Sequence, residues 1–236
     1  QEKFKLYHPD ISLIVTGNEI TGYFKVLMKA MDLVMPDIAA RTRHIPHGML
    51  RLPSGKMSSR TGDVVTAEQL IQEIKSHLPQ NTDEAVALAS IKYSILKQSI
   101  GRDIIFDFDT SVAFQGDSGP YLQYTHARLR SILRKAQAGD VPMPDVELDA
   151  HEHRLAVSIL RLSEAIEDAL HDYAPNTLAN YLFSLAQLAN EFYHSHPVIQ
   201  EADESKKNFR LALVTVAAST LKNGLYLLGI EAPEEM

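Results

Sequence analysis

The 236-residue sequence contains no cysteine and no tryptophan. Without thiols there are no disulfides, no thiolate nucleophile and no cysteine-ligated zinc, a composition compatible with a reducing compartment. No stretch approaches the roughly 18 consecutive apolar residues of a membrane-spanning helix, and the polar start Gln1-Glu2-Lys3 lacks a signal-peptide pattern. A cytoplasmic protein that makes no membrane contact is expected. Glycine and proline number only 11 each, far from a low-complexity or disordered composition. Basic residues are also in the minority, 23 Lys and Arg against 30 Asp and Glu, for a net charge of -7. That balance weighs against a uniformly basic nucleic-acid binder. It leaves room for local basic patches, because phosphate attraction is screened over about 10 Å at physiological salt.

With 45% hydrophobic residues the chain can bury one large core or two ordinary ones. Residues 11 to 17, Ile-Ser-Leu-Ile-Val-Thr-Gly, read as a buried strand of an α/β sheet. A helix follows, with Tyr23, Val26, Leu27, Ala30 and Val34 on its apolar face and Pro36-Asp37 as its stop. Extended segments interrupted at Pro46 and Gly48 lead through the turn Pro53-Ser54-Gly55 to Lys56. Thr66 and Gln69 have capping-box spacing and open a helix to about Lys75; another runs from Asn81-Thr82-Asp83-Glu84 to Gly101. Residues 102 to 114 read as a short extended stretch. Gly116-Asp117-Ser118-Gly119-Pro120 marks a break into an all-helical region, so the expected division is 1–116 and 117–236. In the second part Leu155, Ile159, Leu162, Ile166, Ala169, Leu170 and Tyr173 share one helical face. The last helix, Phe209 to about Leu228, is apolar nearly all round and belongs at the centre of a bundle. The loop from Gly139 to Asp149 is expected to be exposed. The predicted class is mainly α with an α/β portion.

The densest chemistry is Lys56-Met57-Ser58-Ser59-Arg60-Thr61-Gly62-Asp63. Two cations and two hydroxyls on a loop ahead of a helix can hold a polyphosphate and offset charge on leaving pyrophosphate. The same residues also describe a solvated basic turn. Gly17-Asn18-Glu19-Ile20-Thr21-Gly22 places a carboxylate in a tight turn after a strand, which suits ribose hydroxyls or simply a helix entrance. Tyr121 and Tyr124 offer faces for unpaired bases, though either could equally be a bundle-core aromatic. Arg128, Arg130, Arg134 and Lys135 form the densest basic cluster, with Arg130 and Arg134 on one helical stripe and Arg128 and Lys135 on another. Glu164, Glu167, Asp168 and Asp172 mark an acidic face turned to solvent. The pairs His151/His153 and His194/His196 lack a convergent carboxylate set, so no protein-bound metal is expected.

These segments resemble the arginyl-tRNA synthetases, a family of class I aminoacyl-tRNA synthetases, and the resemblance runs over essentially the whole chain. The Lys56 loop is similar to the second class I signature, Lys-Met-Ser-Lys-Ser, with Ser59 where the consensus has its second lysine. The Gly17 turn is similar to the Gly-x-Asp-x-x-Gly turn beside adenosine, with Glu19 replacing aspartate and Gly22 closing the motif. His47-Gly48-Met49 resembles the adenine-contacting strand. His44-Ile45-Pro46-His47 only echoes the first signature, which opens a helix, whereas this copy reads as extended. Gly119 to Arg128 and Leu188-Ala189-Asn190-Glu191-Phe192-Tyr193 resemble the anticodon-binding bundle, and Leu228 to Met236 the family's C-terminus.

The resemblance implies the C-terminal part of a Rossmann-like catalytic domain followed by an all-α anticodon-binding bundle. It implies ATP contacts at Gly17, Glu19, Gly22, His47, Gly48, Met49, Lys56, Met57, Ser58, Ser59 and Arg60, with Lys56 and Arg60 catalytic and Met57 beneath the adenylate. It implies tRNA contacts at Tyr121, Gln123, Tyr124, Arg128, Arg130, Arg134, Asn190, Tyr193 and Met236. The implied partners are tRNA-Arg, ATP with Mg²⁺ held mostly by its phosphates, and L-arginine, in a monomeric parent enzyme. The first signature and most of the arginine pocket belong to the family's other half, so the isolated chain is expected to be inactive. The alternative is a non-catalytic tRNA-binding module. A cysteinyl enzyme fits poorly, lacking its Cys/His zinc and Lys-Met-Ser-Lys-Ser.

Overall fold

The computed structural model describes residues 1–52, 55–56, 66–137 and 144–236. The chain opens with a short helix α1 (Glu2–Tyr7), then β1 (Ser12–Gly17), a single 3-10 turn at Asn18–Ile20, α2 (Thr21–Val34), α3 (Pro36–Ala40) and β2 (Thr42–His47). β1 and β2 pair in parallel from Ser12↔Thr42 to Gly17↔His47, so β1, α2 and β2 form a βαβ unit. His44 lies in β2, in extended backbone, so the first-signature look-alike is a strand.

The expected burial of β1 is not observed. Of its residues only Ser12 is buried, because α2 covers one face of the pair through Phe24, which stacks on His44 at 3.9 Å. Leu13 and Val15, on the alternate face, are 42% and 63% exposed. The covered face of α2 also differs from the expected one. Phe24 is its buried residue, whereas Tyr23, Val26 and Val34 face solvent. α2 therefore carries two apolar stripes, and this sheet covers only one.

β3 (Leu50–Leu52) pairs antiparallel with β4 (Gly55–Lys56), Arg51 opposite Lys56, and parallel with β5 (Ile104–Ile105). Beneath this sheet α4 (Ala67–His77), α5 (Glu84–Leu96) and the short α6 (Phe108–Ser111) gather Leu70, Ile74, Val86 and Phe106 into a small core. The Thr66–Gln69 capping box forms as spaced, each residue's side chain accepting from the other's backbone N–H. α5 stops at Leu96, short of Gly101, whose φ of 81° suits the turn that follows.

The helical region comprises α7 (Gly119–Ala136), α8 (Ala150–Leu160), α9 (Leu162–His171), α10 (Pro175–Ser195) and α11 (Glu204–Leu227). α11 packs on α7, α8 and α10, and its buried residues face several directions, as expected of a central helix. Fully buried Leu182, Leu185, Phe192, Leu221 and Leu225 make the core, where a Leu→Ala change typically costs about 2–5 kcal/mol. α5 joins this core through Ala89 and Tyr93, and the Tyr93 hydroxyl donates to Asp117 Oδ1 at 2.6 Å, so packing is continuous across residues 116 and 117. The expected single face from Leu155 to Tyr173 is broken by a turn at Arg161. That phase change leaves Leu170 68% exposed. Of the Gly139 to Asp149 loop, residues 144–149 are described, and there Val146 and Leu148 pack on the core where exposure was expected. Among the described residues no helix is long and apolar enough to cross a membrane.

Candidate nucleotide and RNA sites

The parallel register brings Gly17 beside His47, at the carboxyl ends of β1 and β2, where open α/β sheets bind ligands. Glu19 is exposed and its carboxylate lies over Gly17: a Cβ there would stand 2.2 Å from Glu19 Oε2. Asn18 Nδ2 donates to the Gly101 carbonyl at 3.1 Å, fixing the turn. Gly48 is buried against the 102–103 backbone, and a Cβ would sit 1.7 Å from the Arg102 carbonyl oxygen, so only glycine permits this approach. The Met49 N–H donates to Asp103 Oδ1 and its carbonyl accepts from Ile104, which leaves its side chain, 43% exposed, as the group free to meet a ligand. Gly22 is exposed on the first turn of α2 with open space around its Cα. Lys56 ends β4. Met57, Ser58, Ser59 and Arg60 lie outside the described residues.

On the bundle, five of the expected RNA residues assemble into one network. α7 starts at Gly119 because Ser118 caps it, accepting from the Tyr121 N–H, and Pro120 fits the first turn. Arg128 Nη1 donates to Asn190 Oδ1 at 2.9 Å and Nη2 to the Tyr124 hydroxyl at 3.0 Å. The Arg128 guanidinium also lies 4.7 Å from the Tyr124 ring centroid and 5.7 Å from that of Tyr193. Asn190 Nδ2 donates to the Tyr121 and Thr125 hydroxyls, each at 3.0 Å. The network holds a cation between two tyrosine faces, 36% and 39% exposed, at the wall of a cleft of about 790 Å³. Arg134, Lys135, Gln200 and Met236 also line that cleft.

Four expected contacts are engaged within the protein. Gln123 is fully buried and its amide donates to the Ala85 and Glu231 carbonyls, so it anchors the C-terminal segment and does not face the cleft. Arg130 and Lys222 both bind the Glu234 carboxylate, at 2.5 and 3.0 Å, and Arg134 donates to the Glu234 carbonyl at 2.9 Å. Tyr121 is largely packed against Phe183, and its hydroxyl serves Asn190. The residues of this region that sequence reasoning missed are the tail's own acids, Glu234 and Glu235, which set where Arg130 and Arg134 of α7 point.

The tail also makes a pH-sensitive corner. His126 is buried, its Nδ1 meets the Ala218 carbonyl at 3.1 Å, and among the described residues its Nε2 has no hydrogen-bond partner. Burial pushes its pKa down. A histidine depressed in the folded state contributes fully above its unfolded value of about 6.5 and loses that contribution as pH falls below it. Hydrogen bonds from Arg130 and Lys222 hold Glu234 down to about 2, so its contribution is present above the ordinary glutamate value of about 4.3 and lost between there and about 2. Stability to urea is therefore expected to fall in two pH windows, one opening below about 6.5 and a lower one opening below about 4.3. His126→Asn should flatten the upper one and leave the lower; an unchanged profile near pH 6 would remove His126 as its source.

Residues 122–236 match the family model described as DALR anticodon binding domain. The chain also superposes on a methionyl-tRNA synthetase of Mycobacterium tuberculosis, with TM-score 0.68, 20% identity, and coverage of 99% of this chain and 44% of that one, a likeness of fold. Sheet, helical bundle and anticodon-binding domain together define a class I aminoacyl-tRNA synthetase architecture. Against the arginyl-tRNA synthetase of Thermus thermophilus the TM-score rises to 0.84, at 31% identity over 96% of this chain and 41% of that one. Over 99% of its length the chain is 35% identical to the arginine–tRNA ligase of Porphyromonas gingivalis. Over nearly its whole length the chain is similar to the C-terminal part of arginyl-tRNA synthetases. It spans 43% of the length of that curated relative.

Proposed function

We propose that this chain works as the C-terminal part of an arginine–tRNA ligase in the cytoplasm, supplying the pyrophosphate side of the ATP site and the grip on the tRNA-Arg anticodon. The observation that carries the RNA reading is the Arg128 guanidinium held between Tyr124 and Tyr193 on a cleft wall. A fixed cation for phosphate and exposed aromatic faces for splayed bases are what single-stranded RNA recognition needs. Arg130 and Arg134 act mainly by placing the tail, with Met236 at the cleft rim. ATP fits the turn at Gly17, where the Glu19 carboxylate accepts ribose hydroxyls and the Met49 side chain, with His47, borders the base; Lys56 and the loop through Arg60 meet the phosphates. Mg²⁺ enters with ATP. The L-arginine carboxylate attacks the α-phosphate to give arginyl adenylate and pyrophosphate, and the tRNA 3′-terminal hydroxyl then takes the arginyl group with release of AMP.

The exposed apolar surface of β1 and α2 supports this over a free-standing tRNA-binding module. Leu13, Val15, Tyr23, Val26, Leu33 and Val34 would remain in water in such a module, whereas a larger catalytic sheet covers them. Filter binding of tRNA-Arg tests the RNA reading. Tyr193→Ala and Tyr124→Ala are expected to weaken binding about 5- to 100-fold, the equivalent of about 1–3 kcal/mol for one lost base stack. Both side chains are over a third exposed, so the fold should survive. Equal affinity for transcripts with altered anticodons would remove the assignment.

A further inference from the structure

At the corner where α8 begins and α10 ends, Asp149, His151 and His196 converge, with one ligand-capable atom from each lying within 4.8 Å of the others. Sequence spacing concealed this, because one histidine comes from each His-x-His pair; on a helix such partners point to nearly opposite sides. The outer atoms of the set are already engaged. Asp149 Oδ1 accepts from the His151 and Glu152 N–H groups as the N-cap of α8, leaving Oδ2 turned toward His196. His196 Nδ1 lies 3.1 Å from the Phe192 carbonyl, and a proton donated there leaves the Nε2 lone pair facing Asp149 Oδ2 at 2.6 Å. Two groups that close are joined either by a second ring proton, as in an ion pair, or by a metal cation. The His151 ring closes the third side, 5.6 Å from that of His196.

We propose that Asp149 Oδ2, His151 Nδ1 and His196 Nε2 form a binding site for one divalent transition-metal cation, with Zn²⁺ as the fitting ion. Two imidazoles and one carboxylate favour zinc over the hard cations Mg²⁺ and Ca²⁺, and leave a fourth position for water. The backbone carbonyl behind His196 and the cap hydrogen bonds behind Asp149 are the outer contacts that orient metal ligands. Opposing the site is the positive end of α8, which Asp149 already offsets. A filled site clamps the start of α8 to the end of α10, where His194 and His196 line the RNA cleft.

The test is calorimetric titration of the untagged 236-residue chain with Zn²⁺ at pH 7.5, repeated with Mg²⁺, together with Co²⁺ absorption as a report on coordination. The expected result is one Zn²⁺ per chain, no Mg²⁺ binding under the same conditions, and at least tenfold weaker Zn²⁺ binding in both His151→Gln and His196→Gln. His153→Gln, an exposed neighbour on the same helix, should bind as the unaltered chain does. Circular dichroism separates ligand loss from misfolding, and the partly exposed His151 gives a variant that leaves the core untouched. No binding would mean that a proton alone joins His196 to Asp149. Equal binding in both variants would mean that zinc sits on other histidines. Either result overturns the proposal.

Discussion

Replacing Arg210 with methionine is expected to destabilise the helical region by about 3–5 kcal/mol, the usual effect of removing one partner from a buried ion pair. Arg210 lies on α11 with its guanidinium inside the bundle, Nε donating to Glu152 Oε1 at 2.7 Å and Nη1 to Glu201 Oε2 at 2.5 Å and the Pro197 carbonyl at 3.0 Å. Glu152 is 3% exposed, and its other carboxylate oxygen accepts from the Asp149 N–H in the α8 capping box. Methionine fills much of the space but leaves Glu152 as a charge in a dry site. Arg210→Met/Glu152→Gln should therefore recover part of the loss, since a neutral amide can keep the Asp149 bond without needing a counter-charge. Urea denaturation of the two single variants and the double measures the coupling. A loss under about 1 kcal/mol for Arg210→Met would show that water reaches Glu152 and that the pair is not buried in solution.

The residues that the sequence made legible are those whose partners lie within a turn or two. Thr66 and Gln69 announced their capping box because its donors and acceptors are three positions apart. The apolar surface on all sides of α11 announced a central helix, since only burial on several sides makes such a surface favourable. α2 was misread because Tyr23, Val26 and Val34 satisfy helical periodicity as well as Phe24 does, and which stripe meets β1 and β2 is decided by the sheet. Gln123 was expected to contact tRNA, but its acceptors, the Ala85 and Glu231 carbonyls, are 38 and 108 positions away. The same distance hid Arg210 from Glu152, 58 positions apart, and Asp149 from His196, 47 apart. Turn chemistry alone marked Gly17 as a candidate nucleotide site, whereas His47-Gly48-Met49 stood out only through the family resemblance. The placement of the α7 arginines, with Arg130 and Arg134 drawn to the tail, depends on Glu234 folding back across α7, which no local pattern encodes.

In the full-length ligase proposed above, Lys56→Ala is expected to slow ATP–pyrophosphate exchange by about 100-fold or more, at least about 2.7 kcal/mol of transition-state stabilisation. Lys56 ends β4, paired with Arg51 of β3, so the hairpin fixes its backbone before the phosphate loop begins. In the proposed role a cation gains most where negative charge grows, on the oxygens of departing pyrophosphate. The loss should thus appear chiefly in kcat, with a smaller change in KM for ATP. Binding of tRNA-Arg should stay as it was, because the Arg128 cleft is built from α7, α10 and the tail. Ser59 stands where the resembled signature has its second lysine, which in the proposed role leaves more of the charge to Arg60. Arg60→Ala is accordingly expected to slow exchange as well, and Ser59→Lys in that background to recover part of the rate by returning a cation to the loop. Unchanged exchange in Lys56→Ala would sink the phosphate role of this loop. A rate lost in Arg60→Ala and left unrecovered by Ser59→Lys would show that the arginine acts through its geometry and that charge alone does not substitute for it.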